Sequence, residues 1–157
     1  MGQFSSGFGS GGDGEGPAVV RMELARIIIR ETEDAHQVEL RESDPPHGST
    51  PRTFPIVIGL HEAAAIERRL MGEIPMRPQT HELLAEVVDR LDFSLDAVVI
   101  HALRDHTFFA KLVLRNRQTD HTVEVDSRPS DALALGAADE VPVFVAEEVL
   151  TDAARAE

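Results

Sequence analysis

Apolar and polar positions alternate, or recur at helical spacing, along most of the chain from residue 19 onward. Apolar, β-branched runs bounded by polar, proline or glycine residues predict strands, whereas apolar recurrence every three and four positions predicts helices. Strands are predicted at 19–30, 36–40, 54–59, 96–103, 107–115, 121–126 and 141–145. Helices are predicted at 61–71, at 77–91, in "RPSDALALGAAD" and at the acidic C-terminal end. Because strands and helices come in runs rather than strict alternation, the pattern predicts an α+β fold with a mixed β-sheet.

The two central helices are each expected to bury an apolar stripe. In the first, Ala63, Ile66 and Leu70 share a face, and Gly72 ends the run. In the second, Pro78 suits the first turn, where a missing N–H has no cost. The expected stripe of this second helix is formed by Leu83, Leu84, Val87, Val88 and Leu91.

The predicted strand 107–115 shows how the sheet is covered. Its alternate residues divide into a wholly apolar face and a mixed face. The apolar face has Phe108, Ala110, Leu112 and Leu114, and the mixed face has Phe109, Lys111, Val113 and Arg115. This division predicts helices packed mainly on one face of the sheet.

The chain is divided by its composition into a tail and one domain. Residues 1–18 are predicted to be a disordered Gly/Ser-rich tail or an expression remnant, because they hold little that a core could bury. A single domain is predicted over 19–150, with a proline-rich loop at 43–52. A C-terminal helical tail is expected at 151–157.

Composition excludes several classes of protein. The 157 residues are 42% apolar, enough for one domain with a real core. The absence of cysteine excludes disulfides, thiolate metal sites and cysteine nucleophiles. No apolar run is long enough for a membrane span, and no secretory signal is visible, so a cytoplasmic protein is predicted. The net charge of −13 excludes a strongly basic nucleic-acid-binding face, although residues 45–138 carry only −3 of it.

One junction carries more charge than its surroundings. In "VDSRPSDALAL" (125–135), Asp126, Arg128 and Asp131 lie between a predicted strand and a predicted helix. One interpretation is that either aspartate, or a neighbouring serine, caps the helix and complements its dipole. The other is that the junction binds a charged ligand. The sequence leaves both open.

Three separated motifs follow one another along the chain. They are formed by Gly59, Glu62 and Ala63; by Arg77, Pro78, Thr80 and His81; and by Asp126, Arg128, Pro129, Ser130, Asp131 and Ala132. Together they resemble the bifunctional nuclease family, whose members are reported to degrade DNA and RNA, and the resemblance runs from about Val19 to Leu150. One departure follows "ALAL", where family members commonly continue through an arginine and this chain reads "GAADEVPVFV". The resemblance implies a mixed α/β domain, DNA and RNA as substrates, and a homodimer or larger homo-oligomer.

An enzyme that cuts both DNA and RNA cannot use the ribose 2′-hydroxyl as nucleophile, so water must attack phosphorus. The cofactor is not fixed by the sequence; Mg²⁺ or Mn²⁺ held by Asp126, Asp131 and Glu62 would activate that water. Without a metal, His81 would be the general base; beside a metal, it would position water or protonate the leaving oxygen. Arg128 and Arg77 are the candidate phosphate-binding residues.

Each candidate also has a structural interpretation. Arg77 or Arg128 would form an ion pair, with Arg128 bound to Asp131 or Glu62. His81 would be a buried histidine bonded to backbone, and Glu62 would complement the dipole of the helix that it opens. The rival function is a non-catalytic binding or regulatory module acting through protein partners, which the overall acidity and the missing arginine favour.

Overall fold

The computed structural model describes residues 18–30, 32 and 34–156. Seven strands and four helices make up this part of the chain. The strands are β1 (Val19–Ile28), β2 (His36–Glu42), β3 (Thr53–Ile58), β4 (Phe93–Arg104), β5 (Thr107–Asn116), β6 (Thr122–Ser127) and β7 (Val143–Ala146). The helices are α1 (Leu60–Leu70), α2 (Thr80–Arg90), α3 (Pro129–Ala137) and α4 (Glu147–Ala156). The predicted tail at 1–18 lies outside the described residues apart from its last residue.

All seven strands form one mixed sheet in the order β3-β2-β1-β7-β4-β5-β6. The pairing of β4 with β7 is parallel, and every other neighbouring pair is antiparallel. β4 and β5 are joined by a two-residue turn in which Asp105 and His106 both have positive φ, of 49° and 63°. Two positive φ values define the turn type that matches the twist of a hairpin. The predicted α+β fold with a mixed sheet is confirmed.

The main core lies between one face of the sheet and the helices. Its strand residues alternate along the chain, as in Val98 and Ile100 of β4 or Ala110 and Leu112 of β5. On the opposite face, Ala97, Val99 and Val113 form a much smaller buried cluster. The helices therefore pack mainly on one face, as predicted, and the two faces assigned to 107–115 are confirmed.

α3 is the helix at the centre of the helical layer. It packs against α1, α2, β4 and β5, and seven of its nine residues are buried. Arg69 of α1 is itself buried and donates hydrogen bonds to the carbonyl oxygens of Ala134 (2.6 Å) and Leu135 (3.3 Å). These are carbonyls of the last helical turn, which lack partners within the helix. A charged side chain from α1 therefore fixes the C-terminal end of α3.

α1 agrees with its predicted bounds to within one residue. Gly72 has φ of 68° and ends the helix, with the Glu73 N–H bonded to the Arg68 carbonyl and the Gly72 N–H bonded to the Arg69 carbonyl. These two hydrogen bonds form the Schellman motif, in which glycine takes the left-handed position. Ala63 and Ile66 are buried as expected, but Leu70 is exposed.

α2 departs from its prediction in two ways. It begins at Thr80 with Gln79 as its N-cap, so that Pro78 precedes the helix instead of occupying its first turn. None of its residues is buried, and four of the five predicted stripe residues are exposed. Those four residues, the α2 apolar face, are Leu83, Leu84, Val87 and Leu91.

The physical reason is the rotation of α2 about its axis. His81, Ala85 and Val88 are half-buried and spaced four and three residues apart, so they form the inward side. Glu82 fixes this rotation through two hydrogen bonds from Arg68 of α1, at 2.6 and 3.2 Å. The α2 apolar face consequently points away from the sheet.

The C-terminal helix begins earlier than expected. α4 starts at Glu147, and its Val149, Leu150 and Ala153 are buried in the main core. Residues after 150 thus continue a helix of the domain and are not a separate tail. No helix in the described ranges is both long and apolar enough to cross a membrane.

Candidate functional site

The junction between β6 and α3 is shaped by a proline. Pro129 is the first residue of α3, and the residue before a proline is held in extended backbone. Arg128 is that residue, with φ of −69° and ψ of 145°, and it serves as the N-cap without a side-chain capping bond. The aspartates of the junction are therefore not used as capping side chains. Asp131, in the first turn, still complements the helix dipole.

The Asp131 carboxylate binds two side chains instead. Arg128 donates from Nε to Oδ2 at 2.8 Å and from Nη2 to Oδ1 at 3.0 Å, a two-point contact. His81 Nε2 lies 2.9 Å from the same Oδ1 atom. One oxygen therefore holds the guanidinium and the imidazole side by side.

Glu62 completes a chain of four charged or titratable side chains. Arg128 Nη1 donates to Glu62 Oε1 at 3.3 Å. Gly59 makes room for this carboxylate, because a Cβ atom at position 59 would lie 2.3 Å from Glu62 Oε2. We call the set Glu62, Arg128, Asp131 and His81 the junction cluster.

The junction cluster is open to solvent at its centre and half-buried at its ends. The exposed fraction of the side chain is 63% for Arg128, 30% for Asp131, 25% for Glu62 and 15% for His81. Arg128 uses three of its five N–H donors within the cluster. The remaining donors of an exposed guanidinium are available to an anion.

The electrostatics of the cluster favour charged side chains. Burial raises the pKa of Asp131, but the hydrogen bonds from Arg128 and His81 outweigh it, so that the pKa is lowered from its ordinary value. The hydrogen bonds to Asp131 and Glu62 raise the pKa of Arg128. Asp131 is consequently a carboxylate and Arg128 a cation at neutral pH.

Asp126 and Arg77 lie outside the junction cluster. In the register of β5 and β6, Asp126 faces Lys111, and Ser127 faces the core residue Ala110. Since neighbouring strand residues point to opposite faces, Asp126 points away from α3. The predicted convergence of Asp126 with Asp131 is therefore not found. Arg77 is exposed three residues before α2, without an ion pair in the described part of the chain.

The donors predicted to hold a metal do not form a matching set. Glu62 and Asp131 both bind the Arg128 guanidinium, and Asp126 is on the other face of the sheet. Within the described ranges no group of three or more His, Asp or Glu side chains is placed to hold a metal ion. The arrangement does not fit a divalent cation.

A cavity of about 640 Å³ adjoins the junction cluster. Glu62 and Arg128 line it together with Ser130, and its other walls come from β3, from the β4–β5 turn and from α4. The sequence did not reveal this cavity, because it forms between segments far apart along the chain. The bond from Arg69 to α3 was missed for the same reason. Gly59 was noticed as a motif residue, but its contact with Glu62 was not.

The comparison with protein families bears on what this site does. Residues 46–157 match the family model described as the bifunctional nuclease domain. The chain belongs to the bifunctional nuclease domain family. The match covers most of the chain, including every member of the junction cluster, and it confirms the resemblance found in the sequence motifs.

Two curated relatives of this bifunctional nuclease domain come from Mycobacterium tuberculosis. They are "Uncharacterized protein MT1877" of strain CDC 1551 / Oshkosh and "Uncharacterized protein Rv1829" of strain H37Rv. Each is 40% identical over 102 residues, which is 65% of this chain and 59% of the relative. The match therefore spans about three fifths of the relatives' length.

Proposed function

We propose that this bifunctional nuclease domain hydrolyses phosphodiester bonds in both DNA and RNA, with the junction cluster as its active site. Membership of the family supports the nuclease class. The observation that carries the choice of site is the shared Asp131 oxygen, which places a histidine beside an exposed arginine at the edge of a cavity.

Arg128 has the properties of a phosphate-binding residue. Its guanidinium is exposed and retains N–H donors that non-bridging phosphate oxygens accept. Because Asp131 and Glu62 hold it from two sides, its position is fixed before substrate binds. Arg77 is exposed at the end of the α1–α2 link and would contact a more distant phosphate.

His81 and Asp131 form the candidate proton-transfer pair. With Nε2 donating to the carboxylate, Nδ1 of the ring carries the lone pair that accepts a proton from water. Water then attacks phosphorus, and the bond to the leaving oxygen breaks. That oxygen takes a proton from solvent, and the His81 imidazolium returns its proton to solvent. Asp131 stabilises the imidazolium formed in between, and Arg128 stabilises the added negative charge on phosphate.

The test is a cleavage assay on plasmid DNA and single-stranded RNA, with and without EDTA. We expect Asp131→Asn and His81→Ala to lower the cleavage rate about 100-fold or more, the effect of removing a key electrostatic or proton-transfer group. Asp126→Asn is the matched control, because Asp126 was selected by the same motif but lies across the sheet. Its substitution is expected to leave the rate within about twofold.

Three outcomes would contradict the proposal. They are equal rates for wild type and Asp131→Asn, a large loss in Asp126→Asn alone, and no cleavage by the wild type at enzyme excess. Complete inhibition by EDTA would show that a divalent cation takes part, and would remove His81 from its role as sole base.

We also propose that the protein is a homodimer, with the α2 apolar face as its interface. Exposed apolar groups of this extent on one helix mark an interaction surface. The helix is locally neutral in a chain of net charge −13, because each of its acids is paired with an arginine. The pairs are Glu82 with Arg68, Glu86 with Arg90 and Asp89 with Arg117. A second copy would therefore meet little electrostatic repulsion at this face.

Light scattering at micromolar concentration tests the dimer. We expect the wild type at twice the monomer mass and Val87→Asp at the monomer mass. Val123→Asp, at an exposed valine of the edge strand β6, is the control and should remain dimeric. A monomeric wild type, or a dimer broken by the Val123 substitution alone, would refute this interface.

A different protein held by the α2 apolar face, together with no cleavage, would instead support the alternative function of a regulatory module. Location in the cytoplasm remains a prediction.

A further inference from the structure

We propose that the cavity beside the junction cluster binds an unstacked nucleobase, so that the preferred substrate is single-stranded DNA or RNA. The proposal deepens the proposed function, since it takes the phosphate next to that base to be the one that Arg128 holds. Glu62, Arg128 and Ser130 belong to the cavity wall, so a ligand in the cavity lies against the cluster. A volume of about 640 Å³ is within the range typical of small-molecule sites.

The floor of the cavity suits a flat aromatic group. Ile56, Leu103 and Pro129 are apolar, and Phe108 adds an aromatic ring. That ring is stacked on buried Phe54, with ring centroids 5.5 Å apart and planes at 30°. Phe54 is not part of the cavity wall, so it supports Phe108 without competing for a ligand. Proteins that bind single strands hold bases on aromatic rings in this manner.

The rim offers the polar groups that read the edge of a base. His106 lies in the β4–β5 turn, whose residues Asp105 and His106 have positive φ, and Thr107 follows it at the start of β5. β3 is an edge strand, paired with β2 on one side, and residues 55–58 of it line the cavity. The outer edge of such a strand presents backbone N–H and carbonyl groups to whatever binds beside it.

Charge favours a single strand over a duplex. A protein that grips duplex DNA neutralises several phosphates with basic side chains. Here the net charge is −13, and the cavity wall contains one arginine, partly neutralised by Glu62 and Asp131. A base in the cavity with one phosphate on Arg128 needs only that one cation. Recognition by stacking rather than by charge is therefore the mode that this surface permits.

The first experiment measures binding rather than turnover. Nucleoside monophosphates are titrated into the wild type, with inorganic phosphate and ribose 5-phosphate as probes that lack a base. Phe108→Leu removes the ring and retains an apolar side chain, and Phe109→Leu is its control on the opposite face of β5. We expect Phe108→Leu to weaken nucleotide binding about fivefold or more, as for loss of one base-stacking contact, and Phe109→Leu to leave it unchanged.

Leu103→Trp guards against a folding defect in Phe108→Leu. Leu103 is half-buried in the cavity wall and faces the same side of the sheet as its cross-strand partner Phe108, so a tryptophan there occupies the cavity. We expect this variant to lose nucleotide binding while its thermal unfolding stays close to that of the wild type. Unchanged binding in Leu103→Trp, or equal affinity for nucleotides and inorganic phosphate, would overturn the base site.

The second experiment measures how salt affects binding of a fluorescent single strand of about ten nucleotides. If one or two phosphates are neutralised, the logarithm of the association constant should fall with the logarithm of the salt concentration at a slope of about −0.7 to −1.4. A slope several times steeper, or tighter binding of the matching duplex, would refute single-strand recognition through the cavity.

The two proposals fail separately. If nucleotides bind but neither plasmid DNA nor single-stranded RNA is cleaved, the nuclease proposal is refuted and the base site is supported. Cleavage of single strands that is unaffected by Leu103→Trp would support the nuclease and refute the base site.

Discussion

α2 and α3 each follow an Arg-Pro motif, "RPQTHELL" and "RPSDALAL", yet the structure uses them in opposite ways. α3 begins immediately at its proline and is buried almost throughout, whereas α2 begins two residues after its proline and has no buried residue. After its first turn, α3 is apolar on all sides because helices and sheet surround it. α2 has a strong apolar stripe that the described part of the chain does not cover. An amphipathic pattern thus predicts a face that needs covering, but not what covers it.

The largest expected difference between the helices is in stability. Leu133 of α3 is 4% exposed, whereas Leu83 of the α2 apolar face is 55% exposed. Leu133→Ala should lower the free energy of unfolding by about 2–5 kcal/mol through lost burial and a cavity. Leu83→Ala should change it by roughly 0.5 kcal/mol or less. Urea unfolding at concentrations where the chain is monomeric measures both, and comparable losses would show that α2 is covered within one chain.

A smaller loss of stability is expected when an arginine that bonds to each helix is replaced. Arg69→Met removes a buried cation from two carbonyls of α3, and we expect a loss of about 2–3 kcal/mol because those carbonyls become unpaired. Arg90→Met removes an exposed pair with Glu86 on α2, which contributes about 0.3–0.5 kcal/mol. Thermal unfolding compares the two variants. A neutral Arg69→Met would mean that water replaces the arginine at the end of α3.

The smallest expected effect is the pH dependence of stability that comes from Asp131, whose hydrogen bond with His81 links α3 to α2. Because the folded-state pKa of Asp131 is lowered, its ionised form contributes stability above the unfolded-state pKa near 3.8. That contribution is lost as pH falls below about 4 and through the lowered folded-state pKa. The stability difference between wild type and Asp131→Asn should therefore narrow on acidification. Urea midpoints between pH 7 and pH 3 measure it, with Asp126→Asn expected to parallel the wild type.

Sequence patterns predicted the fold well because strand alternation is local. The bounds of β4, β5 and β6 agree with prediction to within three residues. The end of α1 was predictable because glycine suits the left-handed position that follows a helix. These features depend on neighbours along the chain.

The site was only partly predictable. Its contacts depend on which face of a strand a residue occupies, and on residues that are far apart along the chain. Asp126 and Asp131 were expected to converge, but whether Asp126 faces the helices depends on a one-residue register that composition does not reveal. Glu62 and His81 were candidates from the motifs, yet their contacts with Arg128 and Asp131 span 66 and 50 positions. Which side of α2 faces inward required the pairing of Glu82 with Arg68.

The position of β7 has a consequence for how the protein folds. β1–β2–β3 and β4–β5–β6 are antiparallel units with local connections, and β7 joins them by pairing with β1 and β4. The pairing of Val19 with Ala146 closes a loop of nearly the whole chain, and contacts of such long range form slowly. The junction cluster takes residues from segments that follow each unit, so it is complete only once both units are joined. We expect refolding to restore strand signals quickly and the proposed cleavage activity only in the slowest phase.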